Sequence, residues 1–446
     1  MNLNFPKNFV FGAATASYQI EGGRGEDGKG ESIWDTFCDI PGKIDRGETG
    51  EVACDHYHRM KEDVALMKQL HLESYRFSIA WTRIIPDGDG KVNKKGIKFY
   101  SDLINELLKA GITPFVTVYH WDLPQALQDR GGWTNPESVN WYANYAETLF
   151  KEFGGRVKKW LTFNEPFVFT DFGYVTGTFP PGIKGDYRAK LLAAHNVLKA
   201  HGEAVKRFRK IVKDGQIGIT LDYAYNCPAT KSEEDIKAAK TANEFWAGWY
   251  FEPVVLGHYP QTASKWFKEK GLLPEITDKD LKLISQPIDF IGINHYFTNY
   301  VKADPSNTRE GTAPVYKNVH RNDMDWPITE DGFYELLTYL KSVLKVPLYI
   351  TENGVSLNDI VNLEGEVDDG DRIDYMKRYL GKLSKAIEEG LDCRGYYYWS
   401  LMDNMEWAAG YKPRFGLIYV DYATQKRIIK RSGIWYRDLI DSKNAD

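Results

Sequence analysis

Short apolar, β-branched runs recur along this chain, and the segments between them carry a helical rather than an alternating period. The runs are Phe9–Ala14, Ser74–Ile79, Pro114–Tyr119, Trp160–Phe163, Gln216–Leu221, Phe290–Ile293, Leu348–Thr351 and Gly395–Trp399. Amphipathic stretches fill Tyr57–Leu70, Lys95–Ala110, Pro136–Phe153, Arg188–Phe208, Asp331–Leu344 and Asp371–Glu389. Strand, helix and strand in succession build a parallel sheet with crossover helices. Eight such units predict an α/β fold of the closed (β/α)8 or TIM-barrel type, with extended βα loops forming a cleft. An open, doubly wound sheet is the alternative. The densest glycine cluster, Gly22-Gly23-Arg24-Gly25, lacks the G-x-G-x-x-G spacing of a nucleotide loop. No low-complexity linker divides the 446 residues, so a single domain over 1–446 is expected.

Composition narrows the function classes. Lys and Arg total 57 against 62 Asp and Glu, a net charge of −5. That balance opposes nucleic-acid binding, which needs clustered cations. No run of about 18 apolar residues exists to span a membrane. The N-terminus, Met1-Asn2-Leu3-Asn4-Phe5-Pro6-Lys7, carries no signal-peptide pattern. Cys38, Cys54, Cys227 and Cys393 are scattered and form no CxxC pair, which disfavours metal and disulfide frameworks. A soluble, cytoplasmic protein, monomeric or homo-oligomeric, is the expectation. His56 and His58 stand two apart, off a common helical face, and predict no metal site. Thirteen Trp, 28 Tyr and 22 Phe make 14% of the chain aromatic, a surplus that suits stacking on flat ligands, sugars included.

Each predicted strand is followed by polar or aromatic residues: Gln19 and Glu21 after the first, Arg76 on the second, His120-Trp121-Asp122 after the third and Asn164-Glu165 after the fourth. Asp222 follows the fifth, Asn294-His295-Tyr296 the sixth and Glu352-Asn353 the seventh, and Trp399 ends the eighth, with Glu406-Trp407 beyond. In a barrel these C-terminal ends meet at one mouth, where barrel enzymes place their chemistry. Helix capping explains any one of them but not all eight.

Two of these ends carry the chemistry. Leu161-Thr162-Phe163-Asn164-Glu165-Pro166 and Tyr349-Ile350-Thr351-Glu352-Asn353-Gly354 each put a glutamate after an apolar strand. Opposed carboxylates are what glycosidic cleavage requires: one protonated to donate to the leaving oxygen, one ionised to attack the anomeric carbon or activate water. Arg76 and Tyr296 are placed to keep Glu352 ionised, and Phe163 and Phe167 to give Glu165 an apolar surround that favours its acid form.

These residues bring the chain into register with a known family. From near Phe5 to near Ile440 it resembles glycoside hydrolase family 1, the β-glucosidase family. Phe9–Gly22 is similar to the N-terminal signature, Thr162–Pro166 to the acid/base motif and Ile350–Gly354 to the nucleophile motif; Tyr119–Pro124 and Trp399–Trp407 also match. The resemblance implies a retaining double displacement without cofactor or metal. Glu352 would be the nucleophile and Glu165 the acid/base, supported by Arg76, Asn164, Asn294 and Tyr296. Gln19, His120, Trp121, Glu406 and Trp407 would hold the sugar and Asn164 its 2-hydroxyl. Trp399 would lie under the ring, Trp326 would wall the leaving-group side, and Phe415 would cover the primary alcohol.

The expected activity is exo-hydrolysis of cellobiose, short cello-oligosaccharides and aryl β-glucosides, with a role in cellulose and polysaccharide degradation. Galacto- or fuco-specific enzymes, a 6-phospho-β-glucosidase and an inert sugar-binding protein are the alternatives. Glu406 would repel a phosphate dianion, and Lys412 and Arg414 do not rebuild the phosphate pattern. Departures include Phe167-Val168, Asp222 where Asn is frequent, and Asn294-His295-Tyr296 in place of a more usual Asn-Tyr-Tyr.

Overall fold

The computed structural model describes residues 3–445. Its centre is a closed ring of eight parallel strands: β1 (Val10–Ala14), β2 (Ser74–Ser78), β3 (Thr113–Tyr119), β4 (Lys159–Asn164), β5 (Gln216–Asp222), β6 (Phe290–Asn294), β7 (Leu348–Asn353) and β8 (Cys393–Trp399). Neighbours in sequence are neighbours in the ring, and β1 closes it by pairing with both β2 and β8. The open-sheet alternative is thereby excluded. The six anticipated helices appear at His56–Gln69, Lys94–Lys109, Ser138–Phe153, Tyr187–Ile211, Glu330–Val343 and Gly370–Glu388. Asn93 and Asp186 cap two of them, accepting from Lys95 N at 3.1 Å and Ala189 N at 2.8 Å.

The barrel interior is a packed core, as β-branched and aromatic strands dictate. Phe115, Phe290, Tyr349 and Tyr397, from four strands, meet edge to face with centroids 5.1–6.0 Å apart. Room for Tyr397 comes from Gly12, where a Cβ would sit 2.6 Å from its ring. This plug floors the space in which the polar strand ends collect.

Strand pairing is in regular register around most of the ring. Register shifts occur at Leu161/Asn164 of β4 against β5, at Ile350/Glu352 of β7 against β6, and along β7 against β8. Such bulges re-aim side chains, and they fall on the two glutamate-bearing strands.

Other elements were not read from the sequence. Between β5 and β6 come helices Glu233–Phe245, Gly248–Val255, Gln261–Glu269 and Asp278–Ile284. Strands Asn226–Pro228, Asn299–Ala303 and Thr312–Pro314 form a separate three-stranded sheet. A hairpin, Ile418–Asp421 with Lys426–Ile429, and helix Arg431–Ala445 complete the chain. His56 is a fastening: its Nδ1 lies 2.7 Å from Asp63 Oδ2, and Asp63 also accepts from Arg427 Nε of the hairpin at 2.9 Å. Gly23–Glu31 is a surface loop, in which Arg24 pairs with Glu31 at 2.8 Å and with Asp39 at 2.7 Å. Among the described residues no helix is long and apolar enough to cross a membrane.

Candidate active site

A cavity of about 400 Å³ opens at the C-terminal mouth of the barrel, and both Glu165 and Glu352 line it. Glu352 is the penultimate residue of β7 rather than a residue beyond it, since the strand runs on through Asn353. Glu165 follows β4 directly and takes the position before helix Pro166–Asp171, with φ 48° and ψ 67°. Its side chain makes no capping bond there, so the glutamate does not serve the helix. A left-handed backbone costs a side-chain-bearing residue about 1 kcal/mol or more, and here it turns the carboxyl into the cavity.

The two carboxylates have different partners. Glu352 Oε1 accepts from Arg76 Nη1 at 2.6 Å, and Oε2 accepts from the Tyr296 hydroxyl at 2.6 Å. Arg76 is fixed in turn by Thr117 Oγ1 at 3.1 Å and by the Thr351 carbonyl at 3.0 Å. Glu165 accepts only from amides: Asn294 Nδ2 donates to Oε1 at 2.9 Å, and Asn164 Nδ2 donates to Oε2 at 3.1 Å. Both amides have a settled orientation, because Asn164 Oδ1 accepts from Arg76 Nη2 at 2.5 Å and Asn294 Oδ1 from Thr351 Oγ1 at 2.8 Å. The same orientation makes Asn164 Nδ2 the donor to His120 Nε2, at 3.0 Å, so neutral His120 carries its proton on Nδ1. None of these partners of Glu165 can accept, and a proton on Glu165 faces the cavity.

Electrostatics follow this geometry. Burial, then the charges of Glu352 and Asp222, push Glu165 well above the usual carboxyl range. Burial pushes Glu352 up as well, but Arg76 and Tyr296 pull it back. The contrast is that of an acid facing a base or nucleophile. Burial and Arg76 keep His120 neutral. Burial, reinforced by Glu352, raises Glu406 to about 8.

The expected apolar surround of Glu165 needs correcting. Phe167 lines the cavity, but Phe163 stacks on Tyr142 at 4.2 Å, behind the strand. Alternation along β4 sends residue 163 outward, and burial with two acidic neighbours does the work assigned to it.

Of the expected sugar-binding residues, His120, Trp121, Trp326, Trp399, Glu406 and Trp407 line the cavity together with Asn294 and Tyr296. Arg76 and Asn164 stand one shell back, reaching it through the glutamates. Gln19 is also behind the wall. Its Nε2 donates to Asn404 Oδ1 at 2.9 Å and to the Met405 carbonyl at 2.8 Å, while its buried Oε1 has no protein partner. Phe415 packs behind Tyr296 and Trp326 at 6.1 and 6.0 Å and does not line the cavity. Beneath the segment that bears Glu406, Asp403 accepts from Lys430 Nζ at 2.6 Å, Arg414 Nη1 at 2.7 Å and Gly416 N at 2.9 Å. Arg414 is thus spent on a buried ion pair, which removes it as a phosphate ligand. The sequence reading missed Trp246, Phe297, Phe172, Phe179 and Met324, all in the cavity wall. They lie in loops or at helix ends, where no strand-end signal marks them.

The family model for glycosyl hydrolase family 1 matches residues 1–445. The chain belongs to glycosyl hydrolase family 1. It is a glycoside hydrolase by that membership. It is 48% identical over 442 residues to Beta-glucosidase A of Acetivibrio thermocellus, covering 98% of each chain. It is 47% identical to Beta-glucosidase A of Thermotoga maritima over the full length of both. Among solved structures, the family 1 β-glucosidase of Thermotoga maritima superposes with a TM-score of 0.95 at 46% identity, covering 99% of each chain. Complexes of that family 1 enzyme with glucoimidazole and with castanospermine superpose equally well.

Within this family 1 site, Asp222 bears on Glu165. It lines the cavity and burial raises it to about 7. Its negative charge favours the protonated form of Glu165. Replacing it by Asn removes that charge and lowers the Glu165 pKa. The alkaline limb of kcat/KM, set by loss of the acid's proton, is therefore expected to move to lower pH in Asp222→Asn. A pH–rate profile on an aryl glucoside with a poor leaving group checks this.

Proposed function

We propose that this chain is a retaining, exo-acting β-glucosidase that removes terminal β-D-glucosyl residues from cellobiose, short cello-oligosaccharides and aryl β-glucosides. The observation that carries the proposal is the pair Glu165 and Glu352, buried in one cavity, one bonded only to amides and the other bonded to Arg76 and Tyr296. Glu352 attacks the anomeric carbon and forms a glycosyl-enzyme while Glu165 protonates the leaving oxygen. Glu165 then takes a proton from water, which displaces Glu352. A double displacement calls for carboxyls about 5–5.5 Å apart.

The volume of the cavity supports exo-action. Glu406, Trp407, His120 and Trp399 suit the hydroxyls and apolar face of one sugar ring, and unpaired buried groups would penalise a sugar that lacks a hydroxyl. Gln19 would support them from behind the wall, its Nε2 donating to the Met405 carbonyl beside Glu406. The chain acts as one domain, with glycoside substrates and no nucleic-acid partner. Four unpaired, buried cysteines support a reducing, cytoplasmic setting. A relative in Thermotoga neapolitana carries the name 1,4-beta-D-glucan glucohydrolase, which supports breakdown of cellulose fragments as the role here.

The test is hydrolysis of p-nitrophenyl β-D-glucoside followed by NMR. The first-formed glucose is expected to be the β-anomer. First-formed α-glucose overturns the retaining mechanism, and glucose-binding without turnover favours the inert sugar-binding alternative. Ranking kcat/KM over the galacto- and fuco-epimers and the 6-phosphoglucoside decides sugar preference.

A further inference from the structure

Behind the wall of the barrel mouth lies a small cavity of about 10 Å³, with Ser17, Glu21, Lys29, Ser32, Thr82 and Asp122 in its lining. Three strand ends meet there: Ser17 follows β1, Thr82 follows β2 and Asp122 follows β3. Lys29 reaches it from the surface loop Gly23–Glu31, with a side chain only 7% exposed. Backbone bonds seat that loop, since Gly30 N donates to the Thr82 carbonyl at 3.0 Å and Gln125 N to the Glu31 carbonyl at 2.9 Å. At Gly30 a Cβ would stand 2.1 Å from the Pro86 carbonyl oxygen, so only glycine permits the approach.

The polar groups around this cavity are not all accounted for. Glu21 is satisfied, because Oε2 accepts from Arg83 Nε at 2.7 Å and Oε1 from the Tyr100 hydroxyl at 2.5 Å. Ser32 donates its hydroxyl to Asp35 Oδ2 at 2.7 Å. Asp122 has far less: Oδ2 takes one long bond, from Ser17 Oγ at 3.3 Å. Asp122 Oδ1 and Thr82 Oγ1 are buried with no partner among the described residues. Both residues are at most 2% exposed. Lys29 is their complement. Its ammonium comes to 3.7 Å from Asp35 Oδ2, beyond hydrogen-bond reach. Burial pushes Asp122 up to about 7, and Lys29 pulls it the other way. Two orphaned oxygens and an ammonium with donors to spare thus line one cavity. Its size is what a single water needs, roughly 10–15 Å³, and so is the number of polar partners.

The position of Asp122 gives this cavity a bearing on the site. Asp122 comes directly after His120 and Trp121, both in the wall of the catalytic cavity. Trp121 has φ 78°, a left-handed backbone that a bulky residue keeps only where its surroundings impose it. Its Nε1 donates to the Asn164 carbonyl at 2.9 Å, and its ring lies 4.5 Å from that of Trp407. On the other side, Ser17 opens the helix Ser17–Ile20 that carries Gln19, and it is tied to Ser78 Oγ through its N–H at 2.7 Å and its hydroxyl at 3.0 Å. Asp122 is therefore the joint between the strained turn after β3 and the segments after β1 and β2.

We propose that this cavity binds one water molecule that bridges the Lys29 ammonium to Asp122 and Thr82, and that the resulting water-mediated ion pair makes Asp122 and Lys29 positioning residues for His120 and Trp121. The functional half of the proposal rests on the β-glucosidase reading above, in which His120 and Trp121 face the sugar. The water accepts from Lys29 Nζ and donates to Asp122 Oδ1 and Thr82 Oγ1. Neither Asp122 nor Lys29 touches substrate. Together they fasten the surface loop to the turn and hold Trp121 in its left-handed conformation.

Two measurements test this. In a high-resolution crystal structure of the wild type, one water is expected within hydrogen-bond distance of Lys29 Nζ, Asp122 Oδ1 and Thr82 Oγ1. A cavity without density, or a direct Lys29–Asp122 contact, overturns the water site. The second measurement is kinetic, on p-nitrophenyl β-D-glucoside, with Lys29→Met, Thr82→Val, Asp122→Asn and the Lys29→Met/Asp122→Asn double variant. Each single variant roughly keeps the side chain's shape and removes a polar or charged partner. Misplacing the wall weakens ground-state and transition-state binding alike, so KM is expected to rise about tenfold with kcat held within about twofold. In the double variant KM is expected to be no higher than in the poorer single one, because the pair acts as a unit. Unchanged KM in Lys29→Met and Thr82→Val overturns the positioning role, even if both melt at lower temperature, and so do multiplicative losses in the double variant. If the wild type fails on p-nitrophenyl glucoside, the β-glucosidase reading has failed, while the crystal structure still decides the water site.

Discussion

A Glu352→Gly enzyme is expected to lose kcat on aryl glucosides by on the order of 10⁴-fold or more, about 5–6 kcal/mol of transition-state stabilisation. Added azide is expected to restore turnover. The reason lies in the space and charge the substitution leaves. Arg76 is buried and directed at the missing carboxylate, and an unpaired buried guanidinium attracts a small anion. Azide in that space forms a bond to the anomeric carbon from the side Glu352 would have used, as the aryl oxygen leaves with its electron pair. One displacement gives α-glucosyl azide, the inverted product. Near-normal hydrolysis without azide would show that Glu352 is not the nucleophile. Thermal unfolding belongs with the kinetics, because losing one partner of a buried pair destabilises by about 3–5 kcal/mol.

Glu165→Ala is expected to give a different signature. Loss of the general acid costs about 10²–10⁴-fold where the leaving group is a sugar hydroxyl, as in cellobiose. With 2,4-dinitrophenyl β-glucoside the leaving oxygen needs little protonation, so the first step survives and the glycosyl-enzyme accumulates, seen as a burst of dinitrophenolate. Azide, which needs no base, then attacks the intermediate and yields β-glucosyl azide. The two variants are thus separated by the anomeric configuration of their azide products. Equal losses on cellobiose and the dinitrophenyl substrate would remove Glu165 from the acid role.

The barrel was legible because its signals are local. All eight strands and six helices lie within a few residues of their sequence positions. The strand ends were less sharp. Leu348–Thr351 stops short of the true end at Asn353, because Glu352 and Asn353 read as loop while the bulge at Ile350/Glu352 keeps them in the sheet. Three of the four helices after β5 escaped because they have only 8, 9 and 7 residues, and Pro253 lies inside one of them. The three-stranded sheet contains strands of only three residues at Asn226–Pro228 and Thr312–Pro314, too few for an alternation to show.

The chemistry at the site followed the same rule. Glu165, Glu352 and Arg76 stand at strand ends and were found there. The orientation of Asn164 and Asn294, which leaves Glu165 surrounded by donors, depends on contacts among four strands and on which atom of each amide faces which neighbour. No pattern along one strand carries that. Asp222 was visible as a departure, but the sign of its effect required seeing it in the same cavity as Glu165.

The two halves of the ring contribute unequal parts of one machine. Arg76, Asn164 and Glu165 come from the first four strands, while Asn294, Tyr296 and Glu352 come from the last four. A protease cut between β4 and β5 would leave each fragment with one carboxylate and neither with a working pair. Turnover therefore doubles as a gauge of whole-molecule integrity, and mixing two split fragments would regenerate it only after they had reassembled the complete circle.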